Sequence, residues 1–529
     1  MAFPSLKSLL LAATIIAGTS FAAHAQVVYE RGNDADPETL DPHKTSTVSE
    51  ANILMDLFEG LTTYAADGSV IPGVAESWEV SDDLLTYTFH LRDDARWSNG
   101  EPVTADDFVY SFQRMLNPAT AAQYAIMLYP IANAQGVNEG TMPPEMLGAR
   151  AIDPSTLEVT LMAPAPYFLQ MLAHQSTFPV YRPNVEEFGD TFVRPGNLIS
   201  NGAYTLQSFT PNDRIVLVKN PMFHDAANVA IDQVNYYPIQ DRSACMRRFE
   251  AGEIDSCSDV ALEQLDYILA NFPEAYREAP YLGTYYYAVD MRQPGFDDVR
   301  VRTALSMAID REFLAEDIWA NTMVPAYSLV PPGTNNYVEP PFLSFMNESI
   351  LDREDMAREL LAEAGFGPNN PLQVNIIHNA GENHANTATA IADMWANIGV
   401  QTTIEAQESA SFYPYLQNGG EFEVARAGWI ADYNDPQNFL FMLQSNNPSF
   451  NYAHYNNPEY DMLMEEAGRT PDLDARAQLL YQAEELAMRD EPFIPLMHYS
   501  SHSLVSTGLH GWDDTLQNFH PTRWMSLDE

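Results

Sequence analysis

Val424-Ala425-Arg426-Ala427-Gly428-Trp429-Ile430-Ala431-Asp432-Tyr433-Asn434-Asp435-Pro436 reads as a short apolar strand that carries an arginine into a Gly-Trp pair, then a turn closed by Asn434 and Pro436. A cation and an anion thus lie six residues apart on one segment. They have three possible uses: pairing with each other, paired carboxylate chemistry, or holding the two ends of a zwitterion. Gly428 removes side-chain bulk where a ligand main chain would approach, and Trp429 offers a flat apolar wall with one polar handle. Composition alone reads the same residues as a turn-forming aspartate and a solvated strand arginine.

The segment closely resembles the cleft segment of periplasmic oligopeptide-binding proteins, the solute receptors of peptide ABC importers. In that family the aspartate of A-D-Y-N takes the peptide α-ammonium, and the arginine of V-A-R-A-G-W helps take its carboxylate. The resemblance assigns those roles to Asp432 and Arg426, with Gly428, Trp429 and Ile430 beside them. It extends in order from Leu40-Asp-Pro-His and Asp56-Leu-Phe-Glu-Gly-Leu to Ile494-Pro-Leu-Met-His-Tyr. Tyr124 falls where the family has a ligand-facing tyrosine, and His384 aligns with a histidine that some members use for the ligand carboxylate. Ser409 replaces the tryptophan expected after Glu408, Gln417-Asn-Gly-Gly lacks an arginine, and Ile430 stands where a cysteine is sometimes found. These departures leave the amine anchor intact and open the question of ligand length and carboxylate position.

Residues 1–25 read as a secretory leader: Lys7, an apolar run from Leu9 to Ala17, and the Ala23-His24-Ala25 cleavage site. The mature chain would begin at Gln26, with no cysteine to carry a lipid, which points to a soluble periplasmic protein. No later apolar run reaches the roughly 18 residues of a membrane span. With 26 basic against 73 acidic residues the formal charge is −47, which repels nucleic acid and anionic membranes. Acidity on that scale serves solvation and suits salty surroundings, where repulsion is screened. The two cysteines, Cys245 and Cys257, point to one disulfide in an oxidising compartment, against the alternative of two buried thiols.

Along the chain, an amphipathic helix through Asn52 closes at Gly60, and Leu85 to Arg92 alternates as a half-buried strand. Thr104-Ala-Asp-Asp opens a helix that ends at Asn117-Pro118. His43 reads as a packing residue. Strand signals recur over 200–260, and Tyr281 to Asp290 is an aromatic strand followed by a helix with Asp297 or Asp298 at its N-cap. Arg300 and Arg302 read as an exposed helix face. A helix over 354–364, a strand from Leu372 to Ile377, a helix to Ile398 and a strand over 400–406 alternate as a parallel α/β unit.

The expected fold is α/β, of the periplasmic solute-binding type: two lobes joined by crossing strands, plus an extra smaller domain (three-domain, cluster C). The resemblance implies a discontinuous lobe I (26–62, 190–284, 499–529), domain II (63–189) and lobe III (285–498). No G-x-S-x-G, H-E-x-x-H or phosphate loop is present, so a receptor is preferred to a hydrolase. No metal, cofactor or nucleic acid is expected. The implied partners are an oligopeptide and the membrane permease of an ABC importer, met by a monomer. A dipeptide, haem, a nickel chelate or an opine-like compound remain alternative ligands.

Overall fold

Two long strands, Tyr276–Val289 and Phe493–Val505, run antiparallel through the middle of the molecule. Both are rich in β-branched and aromatic residues, and both are buried along most of their length, as befits strands at the centre of a sheet. The computed structural model describes residues 26–45 and 47–528; the expected leader lies outside the described residues.

Around this pair forms a mixed sheet of 11 strands. On one side of Tyr276–Val289 come Val424–Ile430, Gln373–Asn379 and Gln401–Gln407, the last two pairs parallel. Beyond Phe493–Val505 come Ser256–Cys257, Val28–Asn33, Gln233–Pro238, Arg214–Lys219 and Tyr204–Thr210. A separate four-stranded antiparallel sheet, spanning residues 75–160, carries the helix Ala105–Leu116. Its core residues Phe89, Phe112 and Leu157 belong to the same apolar cluster as Tyr29 and Tyr204, whereas a second cluster surrounds Tyr286, Val424 and Ile494.

The pairing of the two central strands breaks between Pro280 and Thr284. Proline cannot donate to a ladder, and the register shifts across Tyr281 and Gly283. At this break the strand Val424–Ile430 joins, with Gly283 opposite Ile430 and Ala431 N donating to Leu282 O at 2.8 Å. A side chain at Gly283 would run into Ile430, the Trp429 carbonyl and Tyr499, so only glycine lets three strands meet here.

Most expected elements are present with shifted ends. The helix Ile350–Glu363 starts four residues earlier than expected, because Ser349 caps it through Asp352 N. The parallel unit is Gln373–Asn379, Glu382–Asn397 and Gln401–Gln407. Thr104 and Asp107 form the capping box, Asp298 is the N-cap, and His43 is buried with Nε2 3.0 Å from Phe178 O.

Two readings are corrected. Gly60 does not close the first helix, which spans Val48–Leu57 and ends when Phe58 becomes extended. Gly60 instead lies against the Leu172 carbonyl and the Phe178 ring, at distances that exclude a Cβ. Arg302 is buried, not exposed: it donates to Asp490 O and Phe296 O, plugging the C-terminus of the helix Leu473–Asp490, where carbonyls favour a cation.

Cys245 on the helix Arg242–Glu250 is bonded to Cys257 on the short strand Ser256–Cys257. Gly32 on the neighbouring strand leaves the room: a Cβ there would meet Cys245 Sγ at 2.8 Å. Cross-linking residues 12 apart restricts the unfolded chain and contributes about 3 kcal/mol. Reduction followed by alkylation should therefore lower the unfolding free energy by about that amount in urea titrations. Intact mass should show two alkylated thiols only after reductant.

Candidate functional site

Asp432 lies two residues beyond the strand Val424–Ile430, where the chain leaves the sheet. Its backbone N–H donates to Asn438 Oδ1 at 3.3 Å, and its carboxylate accepts from the Tyr124 hydroxyl. Tyr64 and Tyr281 are near enough for the Asp432 charge to raise their own pKa values, after burial. Burial pushes the Asp432 carboxyl up to about 7, and the Tyr124 bond offsets only part of that. Among the described residues no ion pair uses Asp432. Three buried acids elsewhere are ion-paired: Asp41 with Arg114, Glu59 with Arg523, Asp435 with Arg476. Asp432 and Tyr124, far apart in the chain, are thus brought together across the gap between the four-stranded sheet's unit and the large sheet.

Arg426 sits inside the strand and is 6% exposed. It donates to Asn379 Oδ1 (3.1 Å), Tyr413 Oη (2.7 Å) and Tyr499 Oη (3.2 Å), and its guanidinium lies 4.5 Å from the centre of the Tyr285 ring. Its Nε, also buried, has no partner, and no carboxylate is among its contacts. His384 joins the same group through Tyr285, whose hydroxyl is 3.2 Å from His384 Nδ1. Burial, followed by the charge of Arg426, pushes that imidazole down to about 3, so His384 is neutral at ordinary pH. Six residues of extended chain cover at most about 20 Å, so the unpaired cation and the unpaired anion stand no farther apart than that along the segment.

Alternation along the strand puts Arg426, Gly428 and Ile430 on one face and Trp429 on the other. The Gly428 position is closed from above: the Tyr499 hydroxyl would be 2.5 Å from a Cβ there. Its missing side chain admits Tyr499 to Arg426, a different reason from approach by a ligand backbone. Trp429 is not a free wall. Its ring packs edge-on against Phe441 and Phe450, and Nε1 donates to Asn438 Oδ1 at 2.8 Å, the same oxygen that takes the Asp432 amide. Ile430 is half-buried against the Gly283 break.

Tyr281, Tyr285, Tyr413, Tyr499 and Asn379 line the site without having been singled out by sequence. The signal existed in part: the period of two in Tyr281–Val289 aligns Tyr281, Tyr285 and Tyr287. Tyr413 and Tyr499 come from elements whose neighbourhood only the tertiary fold sets.

Residues 69–451 match the model of bacterial extracellular solute-binding proteins, family 5. The chain belongs to that family. This solute-binding protein is 41% identical to the periplasmic oligopeptide-binding protein OppA of Escherichia coli over 516 residues, covering 96% of this chain and 94% of that one. It is 37% identical to the periplasmic murein peptide-binding protein MppA of Escherichia coli, covering 96% and 93%. The solved structure of Burkholderia pseudomallei OppA superposes with a TM-score of 0.83 at 38% identity, covering 96% of this chain and 100% of that one. Among the described residues no helix is long and apolar enough to cross a membrane.

The state of Asp432 has a consequence for stability without ligand. Its folded pKa, about 7, lies above the ordinary aspartate value. The folded protein therefore retains a proton that the unfolded chain releases, and stability falls as pH rises from about 4 to about 7. In urea unfolding of ligand-free protein, Asp432→Asn should match wild type near pH 4 and exceed it by pH 8, by on the order of 4 kcal/mol. The same gap at both pH values would show that the carboxyl is ordinary.

Proposed function

We propose that this chain captures oligopeptides in the periplasm and delivers them to the membrane permease of an ABC importer. The observation that carries this reading is a pair of oppositely charged and mutually unpaired groups on one short segment, buried Arg426 within the strand Val424–Ile430 and half-buried Asp432 two residues beyond it. Each lacks the partner that a peptide terminus supplies. An ammonium beside Asp432 would restore its charge. A carboxylate at the Arg426 end would compete with the Tyr413 and Tyr499 hydroxyls for the guanidinium, aided by neutral His384.

Between those ends the ligand backbone pairs with exposed main chain, and its side chains lie in hydrated space, so chain-internal sequence matters little. A separation of at most about 20 Å limits an extended peptide held at both ends to about six residues. Lobe I (26–62, 190–284, 499–529) with domain II (63–189) forms one jaw and lobe III (285–498) the other. Closure about the Pro280–Thr284 break encloses the ligand. The protein acts as a monomer, is exported by residues 1–25 without a lipid anchor, and turns over no peptide.

Calorimetry with tri-, tetra- and pentapeptides and their N-acetylated copies tests the reading; equal affinity for the acetylated set rejects it. Below about pH 7 binding must first ionise Asp432, and above about pH 8 the peptide amine loses its proton, so affinity should peak between. The acid limb should fall up to tenfold per pH unit and vanish in Asp432→Asn.

The two anchors should differ in weight. Asp432→Asn leaves a buried ammonium unpaired and should weaken binding of all three lengths by about 3 to 5 kcal/mol. Arg426→Lys should cost less, and by an amount that depends on length, because a longer peptide's carboxylate can shift to His384 or water. Wild-type affinity in the Asp432→Asn protein would reduce Asp432 to a turn residue.

A further inference from the structure

The helix Leu473–Asp490 lies behind the turn that carries Asp432, and its buried face holds two ionisable side chains two turns apart, Arg476 and Glu484. Arg476 Nη1 and Nη2 donate to Asp435 Oδ2 at 2.9 Å and Oδ1 at 2.8 Å. Both partners are removed from solvent, at 2% and 0% exposure. Arg476 Nε has no partner, so every hydrogen bond of this guanidinium goes to the one carboxylate. Its flat face lies 5.5 Å from the centre of the Tyr167 ring, which stacks on Tyr433 at 4.8 Å.

Asp435 also accepts from Gln437 N at 3.0 Å and from Asn336 Nδ2 at 3.3 Å. Glu484 accepts from Leu329 N, Val330 N and the Tyr337 hydroxyl at 2.9, 2.8 and 2.5 Å. The loop so fixed delivers Asn335 N to Asn434 Oδ1 at 2.8 Å. On the other side, Asn434 N donates to Gln170 Oε1 at 2.7 Å. One helix face therefore grips the turn 432–436 directly and through its flanking loop.

A buried ion pair adds little net stability over apolar residues of the same size, but it specifies geometry that an apolar contact leaves loose. Recognition of an ammonium by a half-buried carboxylate is sensitive to displacements of about 1 Å. Resting on the reading of Asp432 as the ammonium anchor, we propose that Arg476 is a positioning residue: its two-pronged grip on Asp435 sets where the Asp432 carboxylate stands. Glu484 holds the flanking loop against which the turn is set.

Titration of wild type and Arg476→Lys with pentaalanine and its N-acetylated copy tests this. Lysine keeps the charge but cannot engage both carboxylate oxygens in fixed geometry. The preference for the free amine should fall at least tenfold, almost wholly through weaker binding of pentaalanine, with binding of the acetylated copy little changed. The double variant Arg476→Met with Asp435→Asn removes both charges and leaves no buried ion unpaired, so it guards against a folding defect; it should show the same loss. An unchanged preference in both folded variants overturns the proposal, as does an equal loss for both peptides, which would mark a general effect on the cleft. A wild type that does not prefer the free amine overturns the ammonium reading itself, and this proposal with it.

Discussion

A half-buried carboxylate with no protein cation beside it, Asp432, is the interaction on which the reading of this molecule depends. Asp432 and Asp435 share one turn, yet their environments are opposite. Asp435 is neutralised by Arg476 and serves the fold, whereas Asp432 has only a tyrosine hydroxyl and a raised pKa. An acid left in that state destabilises the protein at neutral pH, and under the proposed role a ligand cation would recover that deficit. Arg426 shows the same arrangement with the sign reversed: its Nη1 and Nη2 donate to neutral oxygens alone, and its Nε has no partner.

Neutral tyrosines make this arrangement tolerable. A hydroxyl donates to Asp432 at one end and accepts from Arg426 at the other, so each ion is hydrogen-bonded without being cancelled. Fixed counter-ions would have satisfied both groups and left nothing for a zwitterion to gain. The −47 charge of the chain is compatible with such a ligand, since a zwitterion carries no net charge for that field to repel.

The sheet supplies the framework on which the two groups stand. A hydrogen-bonded path runs unbroken from Gln401–Gln407 to Tyr204–Thr210, so both halves are built on one framework. The register shifts between Pro280 and Thr284, and Tyr281, Gly283 and Ile430 all sit there. Stiffness on each side and irregularity in the middle suit two bodies that move about a short segment.

Much was legible in the chain. Period and caps set the nature of nearly every element named from it, because alternation in strands and a Thr104–Asp107 box are local physics. The cleft segment was readable because its charges, glycine and turn are contiguous. Arg302 misled because its partners, the carbonyls of Phe296 and Asp490, are invisible to a reading of its own helix. Gly60 misled because its reason is a carbonyl more than a hundred residues away. Sequence thus determined which residues carry charge and which segments are strand, helix or turn. Whether a charge is paired, solvated or left waiting depends on which distant side chains surround it, and only the tertiary structure decided that Asp435 has its arginine and Asp432 does not.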